Sequence, residues 1–177
     1  LEYLKPARGR MQVLSETKNK ALVIIDYAHT PAALKSALKS IQEIIGRERI
    51  ITLFGCGGDR DKNKRKIMGE IAYEYSDIVI VTDDNPRNEI PSNIRSEILS
   101  GCPTATEIPN RDKAIKYAVS LLKKNDLLLI AGKGHETFQA VGIETLPFDD
   151  YTVAKEAIKN IEKSGIINWR LCGQKKI

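Results

Sequence analysis

Leu127-Leu128-Leu129-Ile130-Ala131-Gly132-Lys133-Gly134-His135-Glu136 carries the clearest structural signal in the chain. Its first five residues are the most hydrophobic run in the chain. A short apolar run without alternation is the pattern of a strand buried on both faces, as at the centre of a parallel sheet. A lysine, a histidine and a glutamate then follow among glycines. Charged groups directly after a buried strand are costly unless they face a polar ligand. In open α/β sheets ligands bind beyond the carboxyl ends of the strands, so this stretch reads as a central strand with a binding loop at its tip.

Working outward, residues 21–25 and 50–54 are two further apolar runs of strand length, 77–81 a third, and 104–108 a weaker strand candidate. Amphipathic segments separate them. Residues 31–45 carry Leu34, Ala37, Leu38, Ile41, Ile44 and Ile45 at helical spacing, opened by Thr30-Pro31 as cap and first turn. Residues 67–75 and 92–99 read as helices, the second with a Glu in its first turns after Ser92. Residues 111–122 repeat the pattern through Ala114, Ile115, Ala118, Val119 and Leu122. Val153, Ala154, Ala157, Ile158 and Ile161 mark a last helix. Strands alternating with helices imply right-handed crossovers. The expected class is α/β, a Rossmann-like doubly wound, mainly parallel sheet with helices on both faces. Residues 1–177 are expected to form a single domain, with 164–177 as a patternless, disordered tail.

The polar segments fall at the strand ends: Asp26-Tyr27-Ala28-His29, residues 55–65 (GCGGDRDKNKR), Thr82-Asp83-Asp84-Asn85-Pro86-Arg87, and residues 132–136. Glycines let the second loop turn and approach a ligand closely. It is not a dinucleotide fingerprint, because Arg60 stands where the last glycine of GxGxxG belongs, and GxxxxGK[ST] occurs nowhere. In the third loop, turn formation accounts for Asp84, Asn85 and Pro86 but not for Arg87, whose planar fork suits a bidentate carboxylate. His135-Glu136 is no zinc-protease motif, since position 139 is Gln, and with His29 and His135 as the only histidines a multi-histidine metal site is excluded.

Composition removes other classes. With 42% hydrophobic and 29% charged residues the 177-residue chain is of globular type, and no apolar run reaches the ~20 residues of a membrane span. Cys56, Cys102 and Cys172 form no CxxC pair, which argues against a disulfide framework or a zinc site and for reduced thiols in the cytoplasm. The net charge of +5 is spread along the chain without aromatic RNA-binding signatures, so nucleic acid is not an expected partner. The chain starts with Leu1 and no signal peptide, and is expected to be part of something larger.

In this order, DYAHTP (26–31), FGCGGDRDKNKR (54–65), TDDNPR (82–87) and AGKGHE (131–136) resemble the Mur ligase family, and within it the branch that adds meso-diaminopimelate. The resemblance runs from Gly9 to Ile161. It implies the third, C-terminal domain of a three-domain cytoplasmic enzyme of peptidoglycan precursor synthesis. The first domain would hold the UDP-sugar, the second the P-loop and Mg2+ ligands, and this one would close over both and bring the amino acid. The implied reaction joins meso-diaminopimelate to a UDP-N-acetylmuramoyl dipeptide, with ATP, through an acyl phosphate. By the same resemblance Arg10 is expected at the ATP phosphates, Asp26 at the ribose hydroxyls, and His29 beside the adenine and ribose. Arg60, Asn85, Arg87, Gly132 and Glu136 are expected to line the amino-acid pocket. No catalytic or metal-binding residue is expected in this domain, and the enzyme is expected to be a monomer without membrane contact. One departure is Ala32, where the family often carries Asp, with a small capping loss expected.

The distal end of meso-diaminopimelate carries an ammonium and a carboxylate, and lysine carries the ammonium alone. An Arg at position 87 with Glu136 opposite matches the first completely. Rival readings stand beside this one: a sister ligase adding lysine or glutamate on the same fold, and a non-catalytic nucleotide-binding module. A free-standing α/β enzyme is disfavoured because no internal base–nucleophile pairing is evident.

Overall fold

Residues 127–131 form a strand with every residue buried, and two parallel neighbours flank it. The computed structural model describes residues 7–16, 21–44 and 48–164. In chain order the elements are β1 (Gln12–Glu16), β2 (Leu22–Asp26), α1 (Pro31–Gln42), β3 (Ile50–Phe54), α2 (Asn63–Tyr75), β4 (Ile78–Val81) and α3 (Pro91–Leu99). There follow β5 (Thr106–Glu107), α4 (Arg111–Ser120), β6 (Leu127–Ala131), β7 (Phe138–Val141), β8 (Glu144–Pro147) and α5 (Asp150–Ser164). The main sheet has the order β1-β2-β6-β3-β4-β5 and is parallel except for β1, which pairs antiparallel with β2 at one edge. β7 and β8 form a separate antiparallel hairpin.

Alternation along the strands splits the core in two. Leu127, Leu129 and Ala131 of β6 face one side with Ile24, Phe54 and Val81, where α1, α2 and α3 cover them through Leu38, Ile41, Met68 and Ile98. Leu128 and Ile130 face the other side with Val23, Ile25, Leu53 and Ile80, under Ala118 and Val119 of α4 and Ala154 and Ile158 of α5. A doubly wound sheet follows, as the alternating pattern implied. No described helix is long and apolar enough to cross a membrane.

Boundaries differ in instructive ways. Thr30 caps α1 as expected, its Oγ1 accepting from the Ala33 N–H at 3.3 Å, but the helix stops at Gln42 rather than running to 45, where the described residues break off. α2 begins at Asn63, four residues before the expected start, because Arg65 occupies its inward face and a hydrophobic pattern cannot register a buried arginine. α3 opens on Pro91 with Ile90 as its cap, one residue before the expected start at 92. α4 ends at Ser120, two residues short of 122. The strand expected over 104–108 shrinks to the exposed pair Thr106–Glu107. Cys56 and Cys102 are buried free thiols, and burial pushes them up to about 12 and about 11. Cys172 and the tail from 165 lie outside the described residues.

Candidate functional site

Because β2, β3, β4 and β6 run parallel, their carboxyl ends deliver four loops to one edge. Between the loops lies a cleft of about 660 Å³. Arg60, Asn85, Arg87, Gly132, Glu136 and His29 line it, with Tyr27, Asp84 and Lys64 among their neighbours. All five residues expected around an amino acid are thus brought together. Arg10 and Asp26 lie beside this group rather than on its lining: the Arg10 guanidinium stands 5.8 Å over the Tyr27 ring, and Asp26 accepts from the N–H groups of Met11 (2.7 Å) and Ala28 (2.8 Å). Tyr27 stacks at a tilt between His29 (4.5 Å) and His135 (5.0 Å), which makes a cationic and aromatic corner next to the cleft.

Arg87 adopts a left-handed backbone, φ +50°, unusual for a side-chain-bearing residue. What holds it there is the hairpin. The Arg87 N–H donates to the Ala140 carbonyl (3.1 Å), and the Gly142 N–H donates to the Arg87 carbonyl (2.7 Å). The guanidinium donates through Nη1 to the Gly58 carbonyl (2.8 Å) and more weakly to Asn85 O (3.4 Å). Among the described residues these are its protein bonds, so Nη2 and Nε are left for a ligand. A Cβ on Gly58 would stand 1.9 Å from the Pro86 carbonyl oxygen, so only glycine lets the second and third loops meet this closely. The Gly58 N–H donates to Asn85 O at 2.8 Å and closes that contact.

Glu136 lines the same cleft as Arg87. Its Oε2 accepts from Asn85 Nδ2 (2.8 Å) and from Lys133 Nζ (3.1 Å). Gly132, at φ +110°, lets the chain leave β6 past Asp84, whose Oδ2 a Cβ there would crowd to 2.8 Å. Burial pushes the Asp84 carboxyl above the usual carboxylate range, against the pull of Arg111 and Lys133. Asp83 is likewise raised by burial, opposed by its ion pair with Arg95.

Sequence reasoning expected Lys133, like its neighbours His135 and Glu136, to face a polar ligand, and it missed the β7–β8 hairpin and Arg65 altogether. Lys133 is fully buried at the end of β6. The β7–β8 hairpin clamps the third loop. Arg65, also fully buried, binds Glu89 through both terminal nitrogens and reaches the Gly57 carbonyl (3.3 Å), so α2, the glycine loop and the segment after Arg87 form one unit. The one signal for Lys133 was its place directly after a buried strand; Arg65 and the hairpin gave none that the hydrophobic pattern could carry.

A family model described as the Mur ligase, glutamate ligase domain, matches residues 9–134. The chain belongs to the Mur ligase family. It is 52% identical over 166 residues to the UDP-N-acetylmuramoyl-L-alanyl-D-glutamate–2,6-diaminopimelate ligase of Agrobacterium fabrum, covering 94% of this chain and 34% of that protein. The ligase of the same name from Rickettsia rickettsii is 49% identical over 162 residues, 90% of this chain and 33% of its own. A solved structure of a ligase of that name superposes with a TM-score of 0.81 at 37% identity, over 90% of this chain and 33% of the other. The UDP-N-acetylmuramate–alanine ligase of Thermotoga maritima shares the fold alone, with a TM-score of 0.63 at 18% identity. This Mur ligase chain spans about a third of the length of the curated relatives it matches.

Proposed function

We propose that the chain is the C-terminal, amino-acid-binding domain of an ATP-dependent ligase that joins meso-diaminopimelate to UDP-N-acetylmuramoyl-L-alanyl-D-glutamate in peptidoglycan precursor synthesis. The observation that carries the reading is that Arg87 and Glu136, drawn from the ends of different strands, line one cleft. A guanidinium with two donor nitrogens that no described residue engages suits the distal carboxylate, and the Glu136 carboxylate suits the distal ammonium. Asn85 lies between them, and Arg60 adds a second cation on the cleft wall. The ligases of highest similarity among the relatives described above carry 2,6-diaminopimelate in their names, which supports the choice.

In the proposed reaction the terminal carboxylate of the dipeptide is activated as an acyl phosphate with ATP as donor. The incoming amine attacks that carbonyl carbon, and phosphate leaves. The role of this domain is to bind and orient the amine. Arg10, Asp26 and His29 would contribute to the ATP site from the corner beside the cleft. Asp26 keeps spare lone pairs beyond its two backbone bonds. The proposal places the Mg2+ ligands, and the phosphoryl chemistry, in the parts of the ligase outside this chain. The isolated chain is then expected to bind without turning over, as a single domain in a cytoplasmic monomer.

With lysine in the cleft, Arg87 would lose its partner after desolvation. A site built around a polar group can reject an analogue lacking it by about 10⁴-fold. The test is steady-state kinetics of the full-length ligase carrying this chain, with meso-diaminopimelate, L-lysine and D-glutamate as acceptors. Wild type should prefer diaminopimelate, and Arg87→Ala should raise its KM about a hundredfold or more while the KM for ATP stays within about twofold. Equal, small changes in both would refute the assignment.

A further inference from the structure

The buried lysine of the fourth loop is not part of the reading above, which it deepens and on which it rests. Lys133 has no exposed surface. Glycines at φ +110° and +55° flank it, and the Glu136 N–H donates back to the Lys133 carbonyl at 3.0 Å. This turn sends the lysine side chain inward while Glu136 stays at the cleft wall. The ammonium is held by two strong contacts, to Asn85 Oδ1 at 3.0 Å and Glu136 Oε2 at 3.1 Å, with Asp84 farther off at 3.9 Å. The Phe138 ring lies 5.7 Å from it.

Those two contacts decide orientations that the side chains would not choose alone. Asn85 can flip by exchanging its amide ends at little steric cost. With Lys133 Nζ and the Ala140 N–H both donating to Oδ1 (2.9 Å for the second), Oδ1 is fixed inward and Nδ2 is committed to Glu136. A carboxylate at the end of a three-torsion side chain is equally free. Among the described residues both of its bonds fall on Oε2, which leaves Oε1 without a protein partner on a residue that lines the cleft. Ligand binding to a carboxylate already held in one orientation does not have to freeze it, and freezing such a side chain is a real fraction of binding free energy.

We propose that Lys133 is a positioning residue for amino-acid selection: its ammonium tethers Glu136 Oε2 and fixes the Asn85 amide, so that Glu136 Oε1 is presented to the distal ammonium of the bound amino acid. It touches neither that amino acid nor the reacting atoms. Its effect is therefore on amino-acid affinity, transmitted through Glu136.

Lys133→Met keeps most of the stem and deletes the charge. In the full-length ligase it should raise the KM for meso-diaminopimelate about tenfold, the equivalent of one charge-assisted hydrogen bond, with kcat falling less than KM rises and the KM for ATP within about twofold. Loss of a merely structural lysine would worsen all three together. In a Glu136→Gln background the same substitution should change KM by less than about twofold, because the tethered carboxylate is gone. An unchanged KM for Lys133→Met, or an equal loss in both backgrounds, overturns the proposal. Should Lys133→Met fail to fold, a crystal structure of the wild-type ligase with meso-diaminopimelate decides. The distal ammonium on Oε1 with Lys133 still on Oε2 supports it, and an ammonium on Oε2 with Lys133 displaced overturns it. A wild type that takes lysine as readily as diaminopimelate sinks the reading of Arg87 alone, because the Lys133 effect is then read on the KM of whichever amino acid is used.

Discussion

Glu89 lies two residues past Arg87 and reaches back to brace the loop that carries it. Its carboxylate takes the Arg65 guanidinium at 2.9 and 3.1 Å, the Asp59 N–H at 2.7 Å and Lys62 at 3.3 Å. The Arg65 hydrogen bonds, then the Asp59 amide, hold its carboxyl at about 2, well below its ordinary 4.5. A depressed carboxylate contributes stability that is fully present above its unfolded value and is lost as pH falls toward the folded one. The window is therefore pH 4.5 down to 2. Asp83 and Asp84 have the opposite sign, since burial raises them and their ionisation costs stability as pH rises through the folded value. Comparing wild type with Glu89→Gln cancels that shared background. Urea denaturation from pH 7 to 3 should show the variant less stable at neutral pH and the two curves drawing together as the pH approaches 3. Parallel curves would mean that Glu89 is not the group that titrates.

The β7–β8 hairpin supports the third loop through four hydrogen bonds, one of them from the Gly142 N–H to the Arg87 carbonyl. Ala140 takes the Arg87 N–H on its carbonyl and gives its own N–H to Asn85 Oδ1, while Gln139 Nε2 donates to the Asp84 carbonyl. Ala140→Pro deletes one of these donors at a position whose N–H points to Asn85 rather than across the hairpin. It should raise the KM for meso-diaminopimelate about three- to tenfold in the full-length ligase with little change in the KM for ATP, again read from steady-state kinetics. The hairpin is also where the sequence was least legible. β8 is exposed throughout and β7 is only half-buried, so neither shows the core-facing alternation that reveals a strand. Gly142-Ile143, a two-residue loop with Gly142 at φ +58°, was the available signal. β1 escaped for the same reason: Val13 is exposed and Leu14 alone packs on the core. By contrast β6 and the inward faces of α1 and α4 were plain, because burial on one or both sides writes itself into periodicity. The polar loops after β2, β3, β4 and β6 could be placed at one edge by parallel topology alone. Which atoms bond within them, Lys133 to Asn85 above all, depends on tertiary approach and leaves no local trace.

One ion pair ties the fold to the site. Arg111 opens α4 and Asp150 opens α5, and both side chains are fully buried. Both bonds of the fork to the carboxylate are 2.7 Å long. The same guanidinium donates to the Ala131 carbonyl at 3.0 Å, and reaches Asp83 O at 3.5 Å. Those carbonyls stand at the carboxyl ends of β6 and β4, the strands that deliver Glu136 and Arg87. The pair therefore locks two helices of one face to the two strand ends whose spacing sets the cleft. A buried pair adds little net stability compared with apolar groups of the same shape, but removing one partner strands the other in a medium that cannot solvate it. Asp150→Ala should consequently cost about 3–5 kcal/mol in urea denaturation of this chain. Arg111→Met combined with Asp150→Leu should recover most of that loss, since no unpaired charge remains. The double variant should nonetheless bind amino acid more weakly than wild type, because the strand ends lose their shared donor while the core is kept. Recovery of stability together with unaltered affinity would show that the pair serves the fold and has no part in shaping the cleft.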